Sequence, residues 1–140
     1  MYRVVFDPSV ILRGLINPRS ICARLLSKHA GHYKAVFSAQ TSQLLVVLLY
    51  HPILIAKYPN LAHIDPRLVG VLMTTFAEKV TIDPAPGRHI VAATAIAATA
   101  DYIITDDPST TVACYNIGIP LLTPLEFATL LAVDHPVEPD

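Results

Sequence analysis

The sequence predicts an α/β fold, a three-layer sandwich in which a central parallel sheet is flanked by helices. Short runs rich in β-branched residues alternate with longer helical segments, which is typical of a parallel sheet built from strand–helix–strand units. The strand-like runs are continuously apolar, as expected where both faces of a sheet are covered. With 140 residues, 53% of them hydrophobic, the chain is long enough for one domain with its own core.

Local signals predict the individual elements in chain order. Strands are predicted where apolar residues are continuous, at 3–6, 34–37, 79–82, 102–105 and 119–122. Ser20 and Ser38 are typical N-cap residues of helices that reach about residues 30 and 50, the first ended by Gly31. Proline after a capping residue predicts helices at 65–76, from 108 onward and at 123–131, and the Ala-rich segment 88–100 predicts one more.

The chain is expected to form one domain over residues 1–133, followed by a flexible C-terminal tail over 134–140 that is polar and contains proline. Cys22 and Cys114 stand alone, so we expect two buried free thiols and neither a disulfide nor a zinc site. The longest apolar stretch, 44–50, is too short to cross a bilayer, and the first strand leaves no room for a signal peptide. These features predict a cytoplasmic protein without a membrane partner.

Composition and missing motifs exclude several functions. The net charge of -1 argues against a strongly basic domain that coats nucleic acid, and the nearest basic cluster lies within 13–28. No glycine-rich phosphate loop, HExxH or GxSxG motif occurs. The six histidines are scattered and do not pair at ligand spacing, so His29 and His63 are expected on the surface.

Carboxylates at the ends of predicted strands carry the most information. Asp7 ends the first strand, and Thr105, Asp106 and Asp107 end the fourth. Acids at these two strand ends can converge in the crevice at the carboxyl edge of the sheet and hold a hard divalent cation. The alternative is that the three acids only cap helices, as Asp-Pro steps commonly do; we favour this for Asp106 and less for Asp7.

An ordered set of segments resembles the PIN domains, the ribonuclease fold of VapC-type toxins. The opening Asp7-Pro8-Ser9-Val10-Ile11-Leu12 is similar to that family's Asp-Thr-Asn-Val-Leu-Ile pattern. The likeness continues through Ser38 and its helix, and through 91–95, 100–107 and 119–127. No single motif is strong, but the matching segments follow the family's order over nearly the whole chain. The resemblance implies a nuclease in which acidic residues hold Mg²⁺ or Mn²⁺ to hydrolyse RNA, with an antitoxin protein as partner.

The acidic site that the resemblance implies is incomplete in this chain. Asp7 and Asp107 match two of the acids and would be the catalytic and metal-binding residues. The acid expected after Ser38 falls on Leu44, with Gln43 beside it, and the acid expected before the Ala-rich helix falls on Arg88. We therefore expect weakened or lost catalysis, in a site lined by Ser9, Gln43, Arg88, His89, Thr105 and Asp106.

Arg88 leads to a specific hypothesis. A guanidinium in the acidic crevice would pair with Asp7 or Asp107 and repel a metal ion, so Arg88 is predicted to act as a built-in counter-ion. The alternative is an Arg88 side chain that reaches solvent at the start of its helix. An active Mg²⁺- or Mn²⁺-dependent endoribonuclease stays open if Asp83, Asp106 or His89 supplies a replacement ligand.

The helix after Ser38 indicates a partner. Residues 44–49 are all apolar, and six such residues in succession wrap a whole helix rather than one face. A homodimer, which the resemblance also implies, or an antitoxin-binding groove would cover the outer side; otherwise the segment 53–56 hides it. A receiver-like or phosphatase-like domain that uses Asp7 as phosphate acceptor is a third, less favoured function, because Ser9 stands where such a phosphatase needs Asp.

Overall fold

The computed structural model describes residues 1–64, 77–83 and 88–135. Five parallel strands form one sheet in the order β3-β2-β1-β4-β5, which confirms the predicted α/β class. The strands are β1 (Tyr2–Phe6), β2 (Tyr33–Ser38), β3 (Ala77–Val80), β4 (Tyr102–Ile104) and β5 (Leu121–Leu122).

Helices connect the strands and cover both faces of the sheet. In chain order they are α1 (Pro8–Ile16), α2 (Ile21–Leu26), α3 (Ala39–Leu49), α4 (Pro52–Lys57), α5 (Ile90–Ala98), α6 (Pro108–Cys114) and α7 (Pro124–Asp134). Short 3₁₀ helices lie at Ala30–His32 and Pro59–His63. The helix predicted at 65–76 falls outside the described residues.

The core has two parts because alternate residues of each strand face opposite sides of the sheet. On β1, Val4 and Phe6 join a cluster with α1, α2, α3 and α7, whereas Val5 joins a cluster with α5 and α6. Val4, Val5 and Phe6 are all buried. Burial on both faces explains why the strands read as continuous apolar runs. Cys22 and Cys114 are buried free thiols in the two clusters, as predicted.

Several predicted boundaries are wrong. The helix after Ser20 ends at Leu26 and not at residue 30, and a separate 3₁₀ helix follows. β3 begins two residues before the predicted strand, and β5 is only two residues long. Two helices with proline at their first position, α1 and α4, were not predicted, although Asp7-Pro8 and His51-Pro52 carry the same signal that indicates the other helix starts.

The helix α3 is not buried all round. Leu45 and Leu49 lie in the core, but Val47 is 54% exposed and Val46 is exposed as well. The segment 53–56 does not cover this side either, since Ile53 is itself 71% exposed. The apolar sequence of α3 therefore supplies one buried face and leaves a second apolar face on the surface of the chain.

The last helix extends into the predicted C-terminal tail. It continues through Asp134, whose Oδ2 accepts a hydrogen bond of 2.7 Å from the Tyr2 hydroxyl. His135 follows as the C-cap, and its N–H donates to the carbonyl of Leu131. Residues 136–140 fall outside the described part of the chain.

Candidate active site

The candidate site lies at the carboxyl edge of the sheet, between β1 and β4. The strand order reverses there, because β2 and β3 lie on one side of β1 while β4 and β5 lie on the other. In open α/β sheets this reversal opens a crevice outside the strand ends, where ligands bind. Asp7 directly follows β1, and Thr105 through Asp107 directly follow β4, so the topology brings these residues to the crevice.

Asp7 is 6% exposed and is held from three directions. Its backbone N–H donates to the carbonyl of Ile104 at 2.9 Å. Its Oδ1 accepts the N–H of Ser9 at 3.2 Å, which caps α1, and its Oδ2 accepts the Thr105 hydroxyl at 2.8 Å. A buried carboxylate is costly without such donors, and the helix N-terminus also favours its negative charge.

Thr105 links the two acids. Its buried hydroxyl donates to Asp7 and accepts the backbone N–H of Asp107 at 3.1 Å. The Oδ1 of Asp107 accepts the N–H groups of Ser109 at 2.8 Å and Thr110 at 3.4 Å, and so caps α6. One hydroxyl thus connects the carboxylate of Asp7 to the backbone of Asp107. Asp7 and Asp107 both cap helices, which confirms for these two residues the alternative prediction of helix capping.

Asp106 has a different role from the one predicted. It does not cap a helix but forms a two-bonded ion pair with Arg13 of α1, through Nη1–Oδ2 at 2.7 Å and a second bond from Nη2 to Oδ1. The hydrogen bonds from Arg13 lower the pKa of Asp106, and the same contact raises the pKa of Arg13. Both side chains line an open cavity of about 500 Å³ together with Cys22, Tyr58 and Thr123.

Arg88 does not serve as the counter-ion, so this hypothesis is wrong. Its exposed side chain forms no ion pair with Asp7 or Asp107. It lines a separate cavity with Asp83 and with Ala93 and Ile96 of α5. The physical reason is that α5 begins only at Ile90, after His89 has capped it, so Arg88 precedes the helix and does not share its buried face.

Of the other predicted lining residues, His89 and Gln43 form no hydrogen bond to Asp7, whereas Ser9 does. His89 uses its Nδ1 to accept the N–H of Val91 at 3.2 Å as the cap of α5. Gln43 is exposed and Leu44 is half-buried on α3. Ser9 does lie beside Asp7, through its backbone N–H. Its Oγ is buried and has no hydrogen-bond partner within the described residues.

Buried hydroxyls occupy the other half of the carboxyl edge. Ser38, at the end of β2, contacts the Thr94 hydroxyl of α5 at 2.8 Å and that of Thr41 at 3.2 Å. Ser38 and Thr41 also form a reciprocal capping box at the start of α3. The cap at Ser38 was a sequence signal, whereas Thr94 sits in an Ala-rich helix and gives none.

The chain matches no protein-family model and no curated protein sequence. Within the described ranges, no group of three or more His, Cys, Asp or Glu side chains is arranged to hold a metal ion, and no helix is long and apolar enough to cross a membrane. Fold and site together define a doubly wound α/β domain in which Asp7 and Asp107 follow adjacent strands at the point where the strand order reverses.

Proposed function

We propose that this chain is a PIN-like domain related to the metal-dependent endoribonuclease toxins of toxin–antitoxin systems, with weakened catalysis. The observation that carries the proposal is the Asp7–Thr105–Asp107 network at the reversal of strand order. It lies at the two positions where the resemblance implies metal-binding acids. The unpartnered Ser9 Oγ beside Asp7 is one further oxygen for an ion or its water.

The number of carboxylates supports weakened catalysis. Affinity for a hard divalent cation rises with the number of charged ligands, and here Asp7 and Asp107 would hold Mg²⁺ or Mn²⁺ alone. The candidates for a replacement ligand are engaged elsewhere: Asp106 pairs with Arg13, and His89 caps α5. A bound ion would supply an activated water for attack on an RNA phosphodiester, and both carboxylates would position it.

Two other functions are less well supported. An active endoribonuclease would need a further ligand at Asp7 and Asp107, and Asp83 lies in the separate cavity with Arg88. A receiver-like domain has the strand order 2-1-3-4-5, which differs from the order 3-2-1-4-5 found here. A phosphatase-like use of Asp7 is also disfavoured, because Ser9 stands where such a phosphatase needs Asp.

Mn²⁺ titration by calorimetry at neutral pH tests the site. We expect saturable binding in the range of about 0.1–1 mM, abolished by Asp107→Asn. Asp106→Asn is the matched control, since it removes the same charge one residue away from a carboxylate paired with Arg13, and it should retain binding. Micromolar binding accompanied by RNA cleavage would favour the active enzyme. No saturation at about 10 mM would contradict a metal site.

A homodimer is the partner that the surface supports best. Four exposed apolar side chains from α3, α4 and the turn between them lie on the outside of the domain: Val46, Val47, Tyr50 and Ile53. Exposed apolar side chains grouped in one part of the sequence are typical of interaction sites, and identical surfaces on two copies suit a symmetric dimer. An antitoxin that covers the same patch, RNA as a ligand and a cytoplasmic location belong to the same proposal.

Light scattering after size exclusion distinguishes these partners. We expect a dimer at micromolar concentration, which Val47→Asp converts to a monomer because it buries an unpaired charge. Val112→Asp is the matched control, since Val112 is also exposed, at 72% against 54% for Val47, but lies on α6. A monomer for the unaltered protein would leave the patch to an antitoxin.

A further inference from the structure

Two histidines meet at the opposite, amino edge of the sheet. The Nδ1 atoms of His29 and His32 are 3.4 Å apart, just before β2 begins at Tyr33. His29 is only 7% exposed, so the expectation that it lies on the surface is wrong. His63 is exposed as predicted.

The local backbone explains why these rings meet. His29 precedes the 3₁₀ helix Ala30–His32, and the N–H of His32 donates to the carbonyl of His29 at 2.9 Å. In a 3₁₀ turn the side chains of residues three apart are eclipsed. Both imidazoles therefore leave the backbone on the same side, and the turn fixes their separation.

A third imidazole arrives from the end of the chain's last helix. His135, the C-cap of α7, stacks on His32 with ring centroids 4.2 Å apart and planes within 8°. The stack joins two segments that are about a hundred residues apart in sequence. No described carboxylate forms an ion pair with any of the three rings, and Asp134 instead accepts a hydrogen bond from Tyr2.

The separation of the two nitrogens fits a metal better than a hydrogen bond. Ordinary hydrogen bonds from N–H groups span about 2.7–3.2 Å, so 3.4 Å is long for one. Two imidazole nitrogens bound to a tetrahedral Zn²⁺ at about 2.0–2.1 Å lie about 3.4 Å apart.

We propose that His29 and His32 form a binding site for a borderline transition-metal ion, with Zn²⁺ as the fitting species. Their Nδ1 atoms are the first two ligands. As the rings stand, the three do not converge on one point, so the His135 ring would supply the third ligand after it rotates out of its stack on His32. Each ligand ring binds through a lone pair and keeps its proton on the other nitrogen, so no proton leaves the protein. Water completes the coordination.

Such a site would act as a structural clamp rather than as a catalytic centre. It lies at the amino edge of the sheet, whereas Asp7 and Asp107 lie at the carboxyl edge. A metal bound there would join the turn before β2 to the end of α7. Because the ion would bind only the folded chain, it would stabilise the fold by mass action. This inference stands independently of the proposed function.

Zn²⁺ titration of the untagged full chain by calorimetry tests the site, with the absorption spectrum of bound Co²⁺ as a second readout. We expect one ion per chain, a tetrahedral Co²⁺ spectrum and a higher Tm with Zn²⁺. His32→Ala and His135→Ala should each weaken binding at least about tenfold and remove the rise in Tm. His29 is left unchanged because its burial ties it to folding.

His63→Ala is the matched control, since His63 is exposed at the end of the other 3₁₀ helix, and it should bind Zn²⁺ like the unaltered chain. Equal loss in His63→Ala, or Zn²⁺ binding that survives both His32→Ala and His135→Ala, would overturn the proposal. Absence of binding at about 100 µM Zn²⁺, far weaker than structural zinc sites, would overturn it as well. If only His32→Ala has an effect, the assignment of His135 as third ligand is wrong.

Discussion

The two halves of the sheet's carboxyl edge provide hydrogen-bond partners for their buried polar side chains in different ways. Beyond β1 and β4, the buried charge of Asp7 is held by the Thr105 hydroxyl and a helix N-terminus. Beyond β2, the buried hydroxyls of Ser38, Thr41 and Thr94 satisfy one another without any charge. The charged half therefore depends on donors aimed at one carboxylate, whereas the hydroxyls of the neutral half serve as donors and acceptors for one another.

The largest effect should come from the hydroxyl that links the acids. Thr105→Val keeps the shape of the side chain but leaves Asp7 Oδ2 and the N–H of Asp107 without this partner. We expect a loss of about 3 kcal/mol in the free energy of unfolding, measured by urea denaturation. Thr105→Ser, which restores the hydroxyl, should recover most of it. A loss below about 1 kcal/mol would mean that Asp7 does not depend on Thr105.

The same substitution in the neutral half should have a smaller effect. Thr94→Val removes the 2.8 Å contact with Ser38, whose Oγ keeps its contacts with Thr41. We expect a loss of about 1 kcal/mol in urea denaturation, because no charge loses its donor. The difference between the losses in the free energy of unfolding of the two valine variants gives the contribution of the Asp7 charge. Equal losses would show that the two halves do not differ in this respect.

These two halves also show what the sequence could predict. The parallel sheet follows from continuous apolar strands, and Asp7, Thr105 and Asp107 follow from their places at strand ends. Arg13 and Thr94 could not be predicted, because their partners Asp106 and Ser38 lie 93 and 56 residues away. For Arg88, the resemblance gave only a position in the sequence. Because α5 begins at Ile90, Arg88 precedes the helix and does not share its buried face. The His29–His32 pair was detectable, since the spacing of three is the period of a 3₁₀ turn.

The smallest effect should come from the ion pair at the rim of the charged half. Arg13 and Asp106 are both partly open to solvent, so the gain from their attraction is reduced by hydration and salt. Arg13→Met should lower the free energy of unfolding by about 0.5 kcal/mol, and this difference should shrink at high ionic strength in parallel urea titrations. A salt-independent loss would indicate that the stem of Arg13 matters for packing instead of its charge.

The short strand β5 has a consequence for how copies of this protein meet. It ends the sheet with only two residues, between Pro120 and Pro124. Proline has no N–H to offer to an added strand, and short edge strands are a known guard against edge-to-edge association. This side of the sheet is therefore a poor template for fibrillar growth. Copies that meet on the β5 side must therefore do so through side-chain surfaces rather than by adding strands to the sheet.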